Sequence, residues 1–306
     1  MARHEQFSVN ELTVNKILSP GGANITPGTN PSGGMDYYVE NNYGGDSNDG
    51  LSWSTPLKTL AAAITLSNTY VGASSAGWAA RNRIFYRADS ETADIVILPA
   101  KCDIIGVGSC DAYHMASIKG NHVPITDHFG CRFFNVRFKP ADASGIGWTL
   151  TAASNGLGFY GCQFVGVESL KVYDNAISAT ACELLTIDGC DFDGAFTGDV
   201  IAIGAGNASG LKIVNNNIRG GANDGIVIGA ATYTSINSLP IIKNNTIQVA
   251  GCTISDTPQN AITVGNYLIS AAATGTDSVN ANARYSAGNW YVDATKAGPW
   301  PVLDNT

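Results

Sequence analysis

The second half of the chain repeats one short alternation of apolar and polar positions. It is visible in Cys131-Arg-Phe-Phe-Asn-Val-Arg-Phe138, Leu157-Gly-Phe-Tyr-Gly-Cys-Gln-Phe164 and Leu185-Thr-Ile-Asp-Gly-Cys-Asp-Phe192. It returns in Leu211-Lys-Ile-Val-Asn-Asn-Asn-Ile218 and Pro240-Ile-Ile-Lys-Asn-Asn-Thr-Ile247. The closing positions Phe138, Phe164, Phe192, Ile218 and Ile247 are 26, 28, 26 and 29 residues apart. A second alternation surrounds Ile177, Ile201, Ile226 and Ile262, which are 24, 25 and 36 residues apart. Two short strands per period of roughly 25 residues, with Gly and Asn between them, predict the coils of a parallel β-solenoid. Alternation turns one set of side chains inward, where each rung stacks on the next. Gly and Asn accept the φ > 0 conformations that bend the chain between strands. On stacked rungs, Asn215, Asn216, Asn244 and Asn245 are placed to form hydrogen-bonded ladders. The Leu-x-x-Leu-x-Leu signature of leucine-rich repeats is missing, and strand-length apolar runs exclude a helical array.

The N-terminal third lacks this repeat. Residues 1–34 are polar and rich in Pro, Gly, Asn and Thr, with one apolar patch from Val9 to Leu18. They predict an extended arm. Next come a strand at Tyr37–Val39, the loop Gly45-Asp-Ser-Asn-Asp-Gly50, then Trp53, Pro56-Leu-Lys-Thr-Leu60 and an Ala-rich stretch to Ile64. This segment resembles the opening of right-handed parallel β-helix proteins in the pectate-lyase-like superfamily. The resemblance implies an all-β, single-stranded right-handed parallel β-helix over about 36–290, with an N-terminal capping helix. A cap has a physical purpose, since an open coil end exposes unpaired strand edges and apolar core. The expected divisions are an arm at 1–34, first strand and capping helix at 35–66, the β-helix at 67–298 and a C-terminal tail at 299–306.

Composition explains itself once the repeat is seen. The 306 residues include 35 Gly and 27 Asn, and only 14% are charged, against about 25% in an ordinary domain. Asn and Gly fill turns in every coil, and strands take small apolar residues. The net charge of −8, with 17 Lys and Arg scattered thinly, argues against a nucleic-acid partner. No apolar stretch reaches the ~20 residues of a membrane helix, so membrane insertion is not expected. The polar start, Met1 to Ser8, predicts no secretory signal. Seven cysteines without a CxxC pair predict reduced, buried thiols.

Several constellations bear on chemistry. Aligned repeats put Asn175, Asp199, Asp224 and Asn260 in one column, with Asp199 and Asp224 on adjacent rungs. Two carboxylates ~5 to 7 Å apart suit an acid and a nucleophile or base in glycoside hydrolysis, and mutual repulsion raises one pKa. The competing and favoured reading is a turn column whose oxygens cap backbone N–H groups. Asp188, Asp191 and Asp193 form a second cluster. Alternation puts Asp191 and Asp193 outward, where hard oxygen ligands suit Ca²⁺ and a solvated face is the simpler reading. The resemblance to lyases would add a basic residue, from Lys171, Lys212 or Arg219. Polygalacturonases of the superfamily show Asn-x-Asp, Gly-Asp-Asp and Gly-His-Gly in that order. Here Gly198-Asp199 precedes Asn223-Asp224, Val200 replaces the second Asp, and no histidine follows His128. His114, His122 and His128 sit beside Asp111 and Asp127 and predict a protruding loop rather than a metal site. Cys162 and Cys190 share a column and predict packing thiols. The tryptophans Trp53, Trp78, Trp148, Trp290 and Trp300 are expected mostly at ends and loops.

No complete catalytic set emerges and no cofactor is expected. β-Helices of this composition with short N-terminal arms resemble bacteriophage virion proteins. That resemblance implies a surface-projecting decoration, fibre or spike protein, located in the virion and assembled in the host cytoplasm. It implies capsid or tail proteins as partners of the arm, a homotrimer, and a host-surface glycan as ligand. The alternative is a polysaccharide-degrading glycoside hydrolase or lyase, such as a small tailspike depolymerase.

Overall fold

The computed structural model describes residues 33–73, 79–108, 115–126, 129–204, 206, 208–229, 239–256, 261–270, 285–293 and 296–301. The expected arm lies outside them except for Gly33 and Gly34. Each coil visits up to three sheets in turn. Sheet 1 stacks ten strands, from Asp36–Glu40, Asn82–Arg87 and Cys102–Gly106 to Ile262–Val264 and Tyr285–Ala287. Sheet 2 runs from Glu91–Thr92 and Ala116–Lys119 through Val136–Lys139, Gln163–Val165 and Asp191–Asp193 to Trp290–Asp293. Sheet 3 holds Ile146–Leu150, Asn175–Ala179, Ile201–Ile203, Ile226–Ile228 and Ile254–Asp256. Successive rungs pair in parallel and in register, as in Phe138↔Phe164↔Phe192↔Ile218↔Ile247. This is a parallel β-helix. Ten rungs at ~4.8 Å make a rod about 43 Å long.

Alternation fills the interior. Phe133, Phe138, Phe159, Phe164, Phe192 and Trp148 are fully buried, and Phe164 stacks on Phe192 with ring centroids 4.5 Å apart. Such ring pairs add about 0.5–1.5 kcal/mol each beyond area burial. Trp148 thus belongs to the core of sheet 3, contrary to the expectation that tryptophans sit at ends and loops. Five of the six described cysteines are buried. Burial raises the thiol pKa of Cys102 and Cys182 to about 12, which leaves both as inert packing groups.

From the coil of Arg132–Phe134 onward, one residue turns the chain from sheet 1 to sheet 2 in the left-handed region. Asn135, Asn215 and Asn244 have φ of 55°, 59° and 56°, and Gly161 and Gly189 have 57° and 63° at the equivalent point. The next position is inward and forms a buried ladder. Asn216 N–H donates to Asn245 Oδ1, Asn245 N–H to Asn266 Oδ1, and Asn266 N–H to Asn289 Oδ1, each at 2.9 Å. Each amide also donates across the coil, Asn216 Nδ2 to Ile187 O and Asn245 Nδ2 to Ile213 O. In the same column Cys162 and Cys190 point their thiols at Phe133 O and Phe159 O, both at 3.5 Å. The thiols supply the same cross-coil donor more weakly. Asn215 and Asn244 form a second, exposed ladder that ends on Asp188.

The repeat around Ile262 needs correction. Ile226 pairs with Ile254, whereas Ile262 pairs with Ile241 in sheet 1. The sheet-3 rung is therefore Ile254–Asp256, 28 residues after its predecessor. Ile-x-Val and Ile-x-Ile triads suit either sheet, so alternation alone does not separate them. The protruding loop expected around His114–His128 also needs correction. Ala116–Lys119 is a rung of sheet 2, and His122 is fully buried and bridges to Trp148. His114 and His128 lie outside the described residues.

At the first coil, helix α1, Leu60–Ala73, packs on the first two strands of sheet 1 through buried Leu60, Ala63 and Ile64. The Gly-Asp-Ser-Asn-Asp-Gly loop builds its start. Asp46 accepts from Lys58 N and Thr59 N at 2.9 Å, and Thr59 Oγ1 accepts from Ala62 N. Asp49 accepts from Leu51 N and Thr55 Oγ1. Buried Glu91 receives Leu60 N–H at the positive end of the helix. At the opposite end of sheet 2, Lys296–Pro301 returns antiparallel to Trp290–Asp293.

Candidate functional site

Sheet 3 is bordered by the acidic column. The register Ile177↔Ile201↔Ile226 aligns Asn175, Asp199 and Asp224 on consecutive rungs. Asn175 Nδ2 donates to Asp199 O, Asp224 N–H donates to Asp199 Oδ1 at 3.3 Å, and Cys252 N–H donates to Asp224 Oδ1 at 2.7 Å. Each side chain thus engages the backbone of the next rung. The following position in the column is Cys252, and Asn260 lies outside the described residues. Burial, with the nearby Asp224 charge, raises the Asp199 pKa above the ordinary carboxylate value, while the Asp224 N–H opposes the shift. The arrangement brings the two acids together as expected. Its chemistry is that of a backbone-capping turn with one elevated acid.

Asp191 and Asp193 flank buried Phe192 on the outer face of sheet 2. Arg219, one rung on, reaches Asp191 at 3.3 Å and Asp193 at 3.7 Å. Asn217 Nδ2 donates to Asp191 Oδ1 at 2.7 Å, and Gln163 Nε2 approaches its other oxygen. These oxygens already have cationic and amide partners. Among the described residues no group of three or more His, Cys, Asp or Glu is placed to hold a metal ion. Of the three basic residues, Arg219 adjoins the acids, while Lys171 lies in a hairpin and Lys212 in sheet 1.

Two surface features went unread in the sequence. On sheet 1, the outward column Tyr38, Phe85, Ile105, Phe134 and Tyr160 is partly aromatic. Phe85 stacks on Tyr38, Tyr160 stacks on Phe134, and Trp53 meets Tyr38 edge-on at 4.9 Å. Beside it runs the charged column Asp36, Arg83, Asp103 and Arg132, in which Arg83 pairs with Asp36 at 2.6 Å and Arg132 with Asp103 at 2.7 Å. The guanidiniums of Arg83 and Arg132 sit 5.5 and 5.4 Å from the Phe85 and Phe134 ring centroids. Rings stacked along the rod turn edges to solvent, so the open platform is at the exposed end, where Trp53 and Tyr43 lie. Phe85 and Phe134 precede the regular repeats or sit at their start, and only the register shows that they share a face.

The second feature is on sheet 2. Lys119 and Lys139 are in register on consecutive rungs, and Arg137 is two residues before Lys139. A hairpin pairing Val167–Glu168 with Lys171–Val172 brings Glu168 to 2.9 Å from Lys119 and 3.6 Å from Lys139. The lysines lie 20 residues apart, off the main repeat spacing.

No family model and no curated protein matches the chain. Among solved structures it is similar to pectate lyase Pel9A, at 14% identity and a TM-score of 0.34, over 85% of this chain and 77% of that one. It is also similar to the tailspike protein of Acinetobacter phage vB_ApiP_P1, at 12% identity and a TM-score of 0.22, over 76% of this chain. The chain spans 56% of that tailspike. The β-helix assignment rests on the sheets themselves, and the function rests on the site.

Proposed function

We propose that this chain is a structural virion protein of a bacteriophage, a surface-projecting decoration, fibre or spike protein. In this reading residues 1–34 anchor it to capsid or tail proteins, α1 caps the rod, three copies associate, and the outer faces bind a host-surface glycan. The observation that carries the reading is the employment of the acids. Asp199 and Asp224 each engage a backbone N–H of the next rung, and Asp191 holds Asn217 and Arg219. Side chains used this way stiffen a rod. Exposed Trp53 and Tyr43 add apolar surface suited to sugar stacking. Electron microscopy of particles from the host lysate, gold-labelled with antibody to the rod, tests the assignment. Label at the particle surface is the expected result, and unlabelled particles beside free protein would overturn it.

A polysaccharide-degrading role has one observation in its favour. The elevated Asp199 beside Asp224 is the environment a general acid requires.

A further inference from the structure

Two lysines meet one carboxylate on the outer face of sheet 2. Lys119 and Lys139 are stacked by the parallel register, so their backbones are one rung apart, ~4.8 Å. Two like charges at that spacing repel unless an anion lies between them. Arg137 adds a third positive charge on the Lys139 strand. Within this described cluster the anion is Glu168, and it comes from a hairpin outside the sheet. Lys119, Lys139 and Glu168 together carry a net charge of about +1 on a chain whose total is −8. Its lysine side chains are only 25% and 14% exposed, so water screens them poorly. Burial holds the Lys139 ammonium below its ordinary pKa; Glu168 pulls it back, and Arg137 and Lys119 push it down. Burial also pushes Glu168 up, and the two lysines more than offset it. Glu168 Oε2 is buried without a hydrogen bond although Lys139 is 3.6 Å away, so the internal carboxylate satisfies this pair incompletely. The hairpin bends at Ser169, with φ of 60°, and carries exposed Leu170 at its tip.

We propose that Lys119, Lys139 and Arg137 form an oxyanion site for the carboxylate or phosphate groups of an acidic glycan, with Glu168 as an internal anion that the ligand competes against. The proposal rests on the glycan-binding part of the function above and names the chemical class of the ligand. Carboxylate and phosphate share the geometry that ammonium and guanidinium groups recognise.

The test is calorimetric binding to the full chain at about 50 mM salt, where charges are screened less than at physiological ionic strength. The probes are a glucuronate hexamer, a glycerol-phosphate hexamer and a neutral glucose hexamer. The site predicts that one acidic probe binds at least about tenfold tighter than the neutral one, and the tighter probe identifies the oxyanion. Glu168→Gln removes the competitor and should tighten that binding about tenfold, whereas Lys139→Met and Lys119→Met should each weaken it about tenfold. Thermal melts accompany each variant; should a lysine variant fail to fold, Glu168→Gln alone decides. Equal binding of neutral and acidic probes, no acidic binding, or an E168Q protein that binds no tighter would each overturn the proposal. Particle labelling is read separately. Labelled particles with no acidic binding would discard the site and keep the virion assignment, and the reverse would do the opposite.

Discussion

Replacing Asn245 by alanine removes four hydrogen bonds from the middle of the buried ladder. Asn245 Oδ1 accepts from Asn216 N and Nδ2, and Asn245 Nδ2 donates to Ile213 O and Asn266 Oδ1. Asn216 Nδ2 keeps Ile187 O, and Asn266 Oδ1 keeps the Asn245 N–H. Two buried backbone groups, Asn216 N–H and Ile213 C=O, lose these partners. At about 1–3 kcal/mol for the unsatisfied Asn216 N–H, and about 0.5–1.5 kcal/mol for the amide bond lost by Ile213 C=O, which stays in the sheet 1 ladder, Asn245→Ala should cost about 2–4 kcal/mol. Asn245→Cys is the informative companion. A thiol placed like Cys190 returns a donor to Ile213 O and leaves Asn216 N–H without its acceptor, so it should recover the smaller part of the loss. Equilibrium urea unfolding followed by circular dichroism measures both variants against the parent. An alanine variant within about 1 kcal/mol of the parent, or a cysteine variant less stable than alanine, would refute the ladder's role.

His122 should make stability depend on pH. Its ring is buried against Trp148 and Phe138, Nδ1 accepts Ile95 N–H, and burial lowers its pKa to about 3. Since the unfolded histidine titrates near 6.5, the unfolded state binds the extra proton below that pH. The contribution is complete above 6.5 and is lost as pH falls toward 3, by about 1.4 kcal/mol per unit inside the window. His122→Phe should flatten the pH dependence of urea midpoints between 6.5 and 4.5, and parallel curves would contradict this. Asp46→Ala removes two backbone partners and a threonine partner at the start of α1. It should cost about 1–3 kcal/mol and open residues 45–58 to limited proteolysis. The raised folded pKa of Asp199 costs stability once pH exceeds its unfolded value. Asp199→Asn keeps an oxygen for Asp224 N–H and should melt at or slightly above the parent temperature at pH 7; a large drop would show that the charge itself is structural.

The coil was legible where side chains repeat at a fixed offset. Phe138, Phe164 and Phe192 mark sheet 2 because alternation and period agree there, and Asn216 and Asn245 mark the ladder two positions earlier. Asn266 and Asn289 continue that ladder but escaped notice because their rungs close with Leu268 and Tyr291 after shorter, irregular spacings. Alternation places Ile262 with the sheet 3 rungs and the structure places it in sheet 1, because three alternating residues carry no record of which turn precedes them. His122 differs from its expected place for a related reason. Nothing in its neighbours in sequence reports that Ile95, Phe138 and Trp148 close around it. The surface features were the least legible. A column on an outer face is assembled from residues 20 to 47 positions apart, and the pairing exists only once register is fixed. The acid pair was visible, while the backbone N–H groups that engage it belong to the next coil.

The central claim is that the paired acids of sheet 3 hold rungs together and the rod acts by binding. Release of reducing ends from host capsule or lipopolysaccharide tests it most directly, with the full chain compared against the Asp199→Asn, Asp224→Asn double variant. No release by either protein is expected at concentrations that saturate polymer binding. Release by the parent chain that the folded double variant abolishes would contradict it.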